Sequence, residues 1–234
     1  MLTNPSFIKS PAVTTSPDFF LQMLKAFTGA VFQRYRNFMP QYFIFHKPFR
    51  VLSQFSAEGE KKTLADYFHG LPKNIYPVGR LDYDSEGLLL LTDDKPLTHR
   101  LLDPSFAHPR TYWVQVEGMI TENALQKLAD GVMINIDGKQ YHTKKAIAKI
   151  LPAGINVSER NPPVRFRKNI PTSWIALTLF EGKNRQVRKM TAAVNFPTLR
   201  LIRHAIGNVT IDGIAPGEYQ LFDESVKDLL LTQE

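Results

Sequence analysis

Apolar and polar positions change their spacing several times along the chain, and this predicts a mixture of strands and helices. Residues 41–46, QYFIFH, are aromatic and β-branched and predict a strand, which a Lys-Pro pair ends. Residues 75–78 and 87–92 are short, nearly continuous apolar runs. They predict two buried strands, one on each side of an acidic turn. The alternation in residues 111–116, TYWVQV, predicts a further strand.

A capping signal and a turn signal predict a helix and a hairpin in the middle of the chain. Thr121 can cap a helix that runs to about Asp130. Asp137 and Gly138 stand between alternating apolar residues. An Asp-Gly pair in that setting is a strong local signal for a hairpin turn.

The remaining patterns do not alternate strictly between strand and helix. Further elements are predicted as helices at 63–68, 96–102, 184–194 (with Asn184 as its cap) and 224–231, and as strands at 173–180 and 198–206. Strands and helices mixed in this way favour an α+β fold over a doubly wound sheet.

The first 38 residues differ in composition from the rest of the chain. Ser16-Pro17-Asp18 predicts the start of an amphipathic helix over 17–38. This segment is basic and rich in Ser and Thr, which suits an organellar transit peptide, a plain helical or disordered extension, or a chain whose translation starts at Met39. The expected domains are an extension at 1–38, one main folded domain at 39–226 and a tail at 227–234.

Composition narrows the possible functions. The 234 residues include 29 Lys and Arg against 22 Asp and Glu, a net charge of +7, which is typical of proteins that bind nucleic acid. With 0 cysteines, the sequence excludes disulfides, thiolate zinc sites and a cysteine nucleophile, and it fits a cytoplasmic protein. The longest apolar run, 19–32, is interrupted by polar residues and is shorter than the roughly 18 residues that cross a bilayer, so we expect no membrane partner.

A basic segment interrupted by two prolines, 160–170, contains Arg165, Arg167 and Lys168 around one phenylalanine. Arginines beside an aromatic ring suit RNA, because phosphates attract the charges and unstacked bases pack on the ring. A solvated surface loop explains the same composition equally well.

The acidic turn, Asp82, Asp84 and Glu86 followed by Gly87, has two interpretations. The spacing matches the start of a calcium-binding loop, with Asp93 at its twelfth position. Such a loop needs a helix on each side, whereas here a strand pattern follows the turn, which argues against calcium. In an extended segment Arg80 and Asp82 point to the same side, which places a guanidinium beside a carboxylate.

A second cluster of charge begins the predicted helix at 184–194. In EGKNRQVRKM, Lys183, Arg185, Arg188 and Lys189 lie in or near the first turns. Cations there oppose the helix dipole, so an anion is expected to compensate them. An RNA phosphate and a buried carboxylate such as Asp82 are both candidates.

Four segments, GRLDYDSEGLLLLT, TYWVQVEG, EGKNRQVRKM and FPTLRLIRHAIG, resemble in order and spacing the RsuA/RluB/RluE family of ribosomal RNA pseudouridine synthases. The resemblance implies an α+β fold with a mixed, mainly antiparallel sheet in two lobes and a central catalytic cleft. It also implies an isomerase, needing no cofactor or metal, that converts a uridine to pseudouridine. About 40 residues precede the first strand, too few for the S4 RNA-binding domain that many members carry.

The resemblance also assigns roles to residues. Asp82 falls on the catalytic aspartate, Arg80 on an arginine that helps displace the target nucleotide, and Tyr112 on the tyrosine that stacks on the flipped uracil. Arg188 matches the arginine that pairs with the aspartate. Tyr83 departs from the basic residue found in the most similar members.

The implied substrate is 23S ribosomal RNA or its precursor, at a uridine in the peptidyl-transferase region, and the implied acting form is a monomer. Asp84 and Glu86 are then expected only to shape the turn. A non-catalytic RNA-binding protein on the same scaffold is the alternative.

Overall fold

The computed structural model describes residues 39–152, 154–164 and 170–231. The predicted helix at 17–38 and the basic residues Arg165, Arg167 and Lys168 lie outside the described residues, so their predictions stay untested.

The secondary structure follows the predicted order closely. The strands are β1 (Tyr42–Lys47), β2 (Tyr76–Pro77), β3 (Glu86–Thr92), β4 (Arg110–Glu117), β5 (Met133–Ile136), β6 (Lys139–His142), β7 (Ile147–Ile150), β8 (Thr172–Leu179), β9 (Thr198–Ile206), β10 (Val209–Thr210) and β11 (Tyr219–Phe222). The α-helices are α1 (Lys95–Leu102), α2 (Glu122–Asp130), α3 (Gln186–Ala193) and α4 (Val226–Leu231). The helix predicted at 63–68 is a single 3-10 turn, Leu64–Asp66.

One large sheet organises the described residues, with strand order β11-β1-β3-β9-β4-β8-β7. β2 extends it beside β3 and β10 beside β9, while β5 and β6 form a separate hairpin. The β3–β9 pair is parallel, and the other pairs are antiparallel. The predicted α+β class with a mixed, mainly antiparallel sheet is therefore confirmed.

The parallel seam between β3 and β9 joins the two halves of the sheet. It is short, pairing Glu86 with Ile202 and Gly87 with Arg203. Gly87 has φ +106°, and a Cβ atom there would lie 2.3 Å from the Arg203 carbonyl oxygen. Only glycine lets the two backbones approach this closely.

β3 is buried on both faces, which explains its continuous apolar sequence. Leu88 and Leu90 pack in a cluster that includes side chains of α1 and α4, and Leu89 and Leu91 pack in another around Phe68. A third cluster lies between β4, β8, α2 and α3. The loop that precedes β3 is thus attached to the most buried strand of the fold.

Two local predictions are confirmed. Thr121 caps α2, and its Oγ1 accepts a hydrogen bond from the backbone N–H of Ala124 at 3.2 Å. Asp137 and Gly138, with φ +50° and +82°, form the turn between β5 and β6. Positive φ at both central positions is the conformation that favours Asp-Gly in two-residue hairpins.

The start of α3 differs from the prediction. Arg185, not Asn184, occupies the N-cap position, in a left-handed conformation with φ 54° and without a side-chain capping hydrogen bond. Instead, Gln186 Oε1 accepts the backbone N–H of Lys183 at 2.9 Å. The helix therefore begins one residue later than a cap at Asn184 would place it.

Residue 227, where the predicted tail begins, lies inside α4. Val226 and Leu230 are buried in the core, and Lys227 Nζ lies 2.9 Å from Asp94 Oδ2. These contacts make the helix part of the folded unit. No helix among the described residues combines the length and apolarity needed to cross a membrane.

Candidate active site

A cleft of about 340 Å³ opens between the acidic turn, the C-terminal end of α1, β4, and the segment that precedes α3. Five residues predicted from sequence line it: Arg80, Asp82, Tyr112, Lys183 and Arg185. The fold thus brings together groups from three separate parts of the chain. A cleft of this size is within the range of small-molecule sites and can hold a nucleobase with its ribose.

The backbone of the acidic turn is held from several sides. The Ser53 hydroxyl donates to the Leu81 carbonyl at 2.9 Å and accepts the Leu81 N–H at 3.1 Å. The Arg50 N–H donates to the Tyr83 carbonyl at 2.8 Å, and the Ser85 N–H closes the turn onto the Asp82 carbonyl at 3.0 Å. Asp82 is therefore carried by a preorganised loop.

Arg185 is the ion-pair partner of Asp82. Arg185 Nη1 lies 3.5 Å from Asp82 Oδ2, and both side chains are about 40% exposed, at 42% and 39%. The same guanidinium forms a fork with Asp84, at 2.9 Å to Oδ1 and 2.8 Å to Oδ2. Hydrogen bonding to Asp84 is the main cause that raises the pKa of Arg185.

Arg188 is placed differently from the prediction. Its Nη2 donates to the Asp84 backbone carbonyl at 2.6 Å and lies 3.5 Å from Asp84 Oδ2. Burial lowers the pKa of Arg188, and the charges of Asp84 and, more weakly, Asp82 oppose that shift. The direct Arg188–Asp82 pair expected from the resemblance is thus replaced by contact with Asp84, two residues further along the turn.

Glu86 does more than shape the turn, which corrects a second expectation. Its carboxylate accepts Arg200 Nε at 2.9 Å and Arg200 Nη2 at 2.7 Å, with both side chains buried. A bidentate, buried pair of this kind costs stability when one partner is removed. It binds the start of β3 to β9.

Lys47, at the end of β1, was interpreted from sequence only as a strand end. Its side chain is completely buried, and Nζ donates to the carbonyls of Pro48 at 2.9 Å and Val51 at 2.8 Å. Burial lowers its pKa to about 7, while the charge of Glu86 acts in the opposite direction. No local sequence signal distinguishes this lysine from an exposed one.

Tyr112 lies on β4, half-buried, with its neighbour Arg203 also lining the cleft. Arg203 is buried, and its Nε donates to the Leu88 carbonyl at 2.8 Å. Burial lowers the pKa of Arg203, and Tyr112 opposes this. Within the described residues, Arg203 Nη2 has no hydrogen-bond partner.

Buried Glu181 holds the segment that precedes α3 in place through hydrogen bonds. It accepts hydrogen bonds from the Lys144 N–H at 2.9 Å, from Gln186 Nε2 at 2.7 Å, and from the Tyr141 hydroxyl. Burial acts to raise the pKa of Glu181, but these hydrogen bonds lower it overall. An ionised carboxylate thus fixes the segment that carries Lys183 and Arg185.

The remaining predicted groups lie elsewhere. Lys189 is half-buried on α3 and does not line the cleft. The calcium alternative is not supported, because Asp84 is bound by arginines and Glu86 lies within β3 and not in a loop between two helices.

Comparison with known proteins gives a consistent result. A family model described as RNA pseudouridylate synthase matches residues 41–193. "Ribosomal large subunit pseudouridine synthase E" of Xanthomonas campestris pv. campestris is 50% identical over 182 residues, 77% of this chain and 94% of the relative. The protein of the same description from Vibrio parahaemolyticus is 49% identical over 178 residues, 76% of this chain and 71% of the relative. A crystal structure of a pseudouridylate synthase superposes with a TM-score of 0.67 at 28% identity, covering 82% of this chain and 74% of that one.

Proposed function

The chain belongs to the RNA pseudouridylate synthase family, and on that premise we propose that it isomerises one uridine of 23S ribosomal RNA to pseudouridine, with Asp82 as nucleophile. The observation that supports this most directly is the cleft in which Asp82, Arg80 and Tyr112 converge. The relatives described as synthase E are named for action on the large ribosomal subunit, which supports the same choice of RNA. The proposed target is a uridine of the peptidyl-transferase region.

In the proposed reaction, ionised Asp82 attacks either the ribose C1′ or the uracil C6. The C1′–N1 bond breaks, the base turns in the cleft, and a C1′–C5 bond forms; the bond between Asp82 and C1′ or C6 breaks again, which regenerates the carboxylate. The proton on C5 is released and N1 takes up a proton, so the product is an isomer of the substrate. These steps need a carboxylate with an accessible oxygen, and Asp82 is 39% exposed.

The other cleft residues that were predicted from sequence each have a proposed part in holding the nucleotide. The target uridine must leave its stack to reach Asp82, and Tyr112 offers a ring on which the uracil can stack, worth about 1–3 kcal/mol. Exposed Arg80 takes the place of the displaced base or contacts its phosphate. Lys183 and Arg185 face the same cleft and attract the RNA backbone.

Further basic residues are proposed to bind flanking RNA. Lys189 adds charge on α3, and Arg165, Arg167 and Lys168 add charge in the segment at 160–170. We further propose that the protein acts in the cytoplasm as a single chain.

The test is Asp82→Asn, which keeps the size of the side chain and removes its charge. We expect this variant to fold and to bind 23S ribosomal RNA while releasing no tritium from 5-labelled uridine. Asp130→Asn, the same change at the exposed C-terminal end of α2, is the control and should release tritium normally. Turnover of Asp82→Asn at the wild-type rate would refute the assignment of Asp82 as nucleophile, whereas a wild-type protein that binds the RNA but releases no tritium would leave the chain as an RNA-binding protein.

A further inference from the structure

Asp84 lies where two arginines from the α3 region meet the acidic turn. Its carboxylate accepts both terminal nitrogens of Arg185, and its backbone carbonyl accepts Arg188. Hydrogen bonding from Arg185 is the leading cause that lowers the pKa of Asp84, so its carboxyl is ionised at neutral pH. One anion therefore binds two cations at the edge of the cleft.

Arg185 depends on outside contacts for its position. Its backbone is in the left-handed region, and its side chain is 42% exposed, so the local sequence alone does not fix where the guanidinium lies. Buried Glu181 holds the backbone next to Arg185 through its hydrogen bond with Gln186. The contact with Asp84 holds the guanidinium itself. A strained backbone conformation persists only when its surroundings fix it in this way.

The distances around Arg185 differ between its two acidic neighbours. The fork to Asp84 closes at 2.8 and 2.9 Å, whereas the approach to Asp82 is 3.5 Å. Both terminal nitrogens are engaged by Asp84, so Asp82 receives a neighbouring positive charge without a bidentate pair. Within the described residues, no hydrogen bond is donated to the Asp82 carboxylate. Its oxygens therefore stay available to a substrate.

We propose that Asp84 is a positioning residue for the reaction, because it binds the Arg185 fork and keeps that guanidinium beside Asp82 without letting it close on the nucleophile. This inference rests on the proposed role of Asp82. Without the charge of Asp84, Arg185 turns to the nearest remaining carboxylate, Asp82, and forms there the fork that Arg and carboxylate favour. Both oxygens of the nucleophile are then covered.

The test compares kcat and KM for tritium release in four proteins: wild type, Asp84→Asn, Arg185→Gln and the double variant. Asp84→Asn should lower kcat by about 10- to 100-fold, the usual cost of a misplaced catalytic geometry, with KM within about two-fold of wild type. In the Arg185→Gln background, the same Asp84→Asn change should lower kcat by less than about two-fold, because the competing guanidinium is gone. Asp84→Glu, which keeps the charge, should retain more activity than Asp84→Asn.

Equal losses of kcat from Asp84→Asn in both backgrounds would overturn the inference and reduce Asp84 to a structural role, as would an unchanged kcat in the single variant. If Asp84→Asn does not fold, judged by its melting temperature, Arg185→Lys decides: its ammonium keeps the charge but cannot be held by a fork to Asp84, so it is free to pair with Asp82 and should lower kcat at unchanged KM. Unchanged kcat in Arg185→Lys would then refute the proposal. Asp82→Asn in the same series tests the proposed function separately from the inference on Asp84, since its activity reports on the nucleophile alone.

Discussion

Replacing Lys47 by Met should remove a pH dependence of stability that arises from one buried amine. Burial lowers the pKa of Lys47 from 10.5 to about 7 in the folded protein. The amine regains its ordinary pKa on unfolding, so between about pH 7 and 10.5 unfolding takes up a proton. A rise in pH within this window therefore stabilises the folded state, and below pH 7 both states hold the proton and the contribution stays constant.

The size of the effect follows from the linkage of one proton, at most about 1.4 kcal/mol per pH unit. From pH 7 to pH 9, the free energy of unfolding of the wild type should rise by about 2 kcal/mol relative to Lys47→Met. The Met side chain leaves the carbonyls of Pro48 and Val51 without their donor, which costs stability at every pH and does not change the slope.

Urea unfolding of both proteins at pH 6, 7, 8 and 9 measures this difference, and other titrating groups cancel between the two curves. Exposed Lys95→Met is the control, and its difference from wild type should show no such rise. A Lys47→Met difference that stays constant within about 0.5 kcal/mol from pH 7 to pH 9 would refute the reasoning.

Two further predictions concern the seam and the basic segment. Gly87→Ala should cost about 3 kcal/mol or more in urea unfolding, because its Cβ meets the Arg203 backbone, whereas Gly138→Ala, with φ +82° but no atom within 4 Å, should cost only about 1–2 kcal/mol. Equal losses of unfolding free energy in the two variants would show that backbone strain, and not the close approach of β9, sets the cost at Gly87. Arg165→Ala and Arg167→Ala should each lower the salt dependence of RNA affinity by about one unit, measured by titration at several salt concentrations. An unchanged slope would assign that segment to a solvated loop.

The elements that sequence predicted well are those with local causes. The cap at Thr121, the turn at Asp137-Gly138 and the buried strand at 87–92 each depend on residues within a few positions of one another. Their conformations follow from hydrogen bonds and burial patterns that a short window contains. The helix predicted at 63–68 was too long, since the structure has only the single 3-10 turn Leu64–Asp66 there.

The pairing of charges could not be predicted in the same way. The resemblance to a family predicted that Asp82 and Tyr112 belong to one site. Which carboxylate binds Arg188, however, depends on the left-handed turn at Arg185. The burial of Lys47 could not be predicted, because segments distant in sequence create it.

The ion pairs around the cleft have a consequence for how the protein is made. Arg185 is 101 residues from Asp84 along the chain, and Arg200 is 114 residues from Glu86. Contacts so distant in sequence form late and slow the folding of a domain. During synthesis on the ribosome, the acidic turn therefore emerges long before its arginines, and a nascent chain has no assembled site with which to modify the RNA around it.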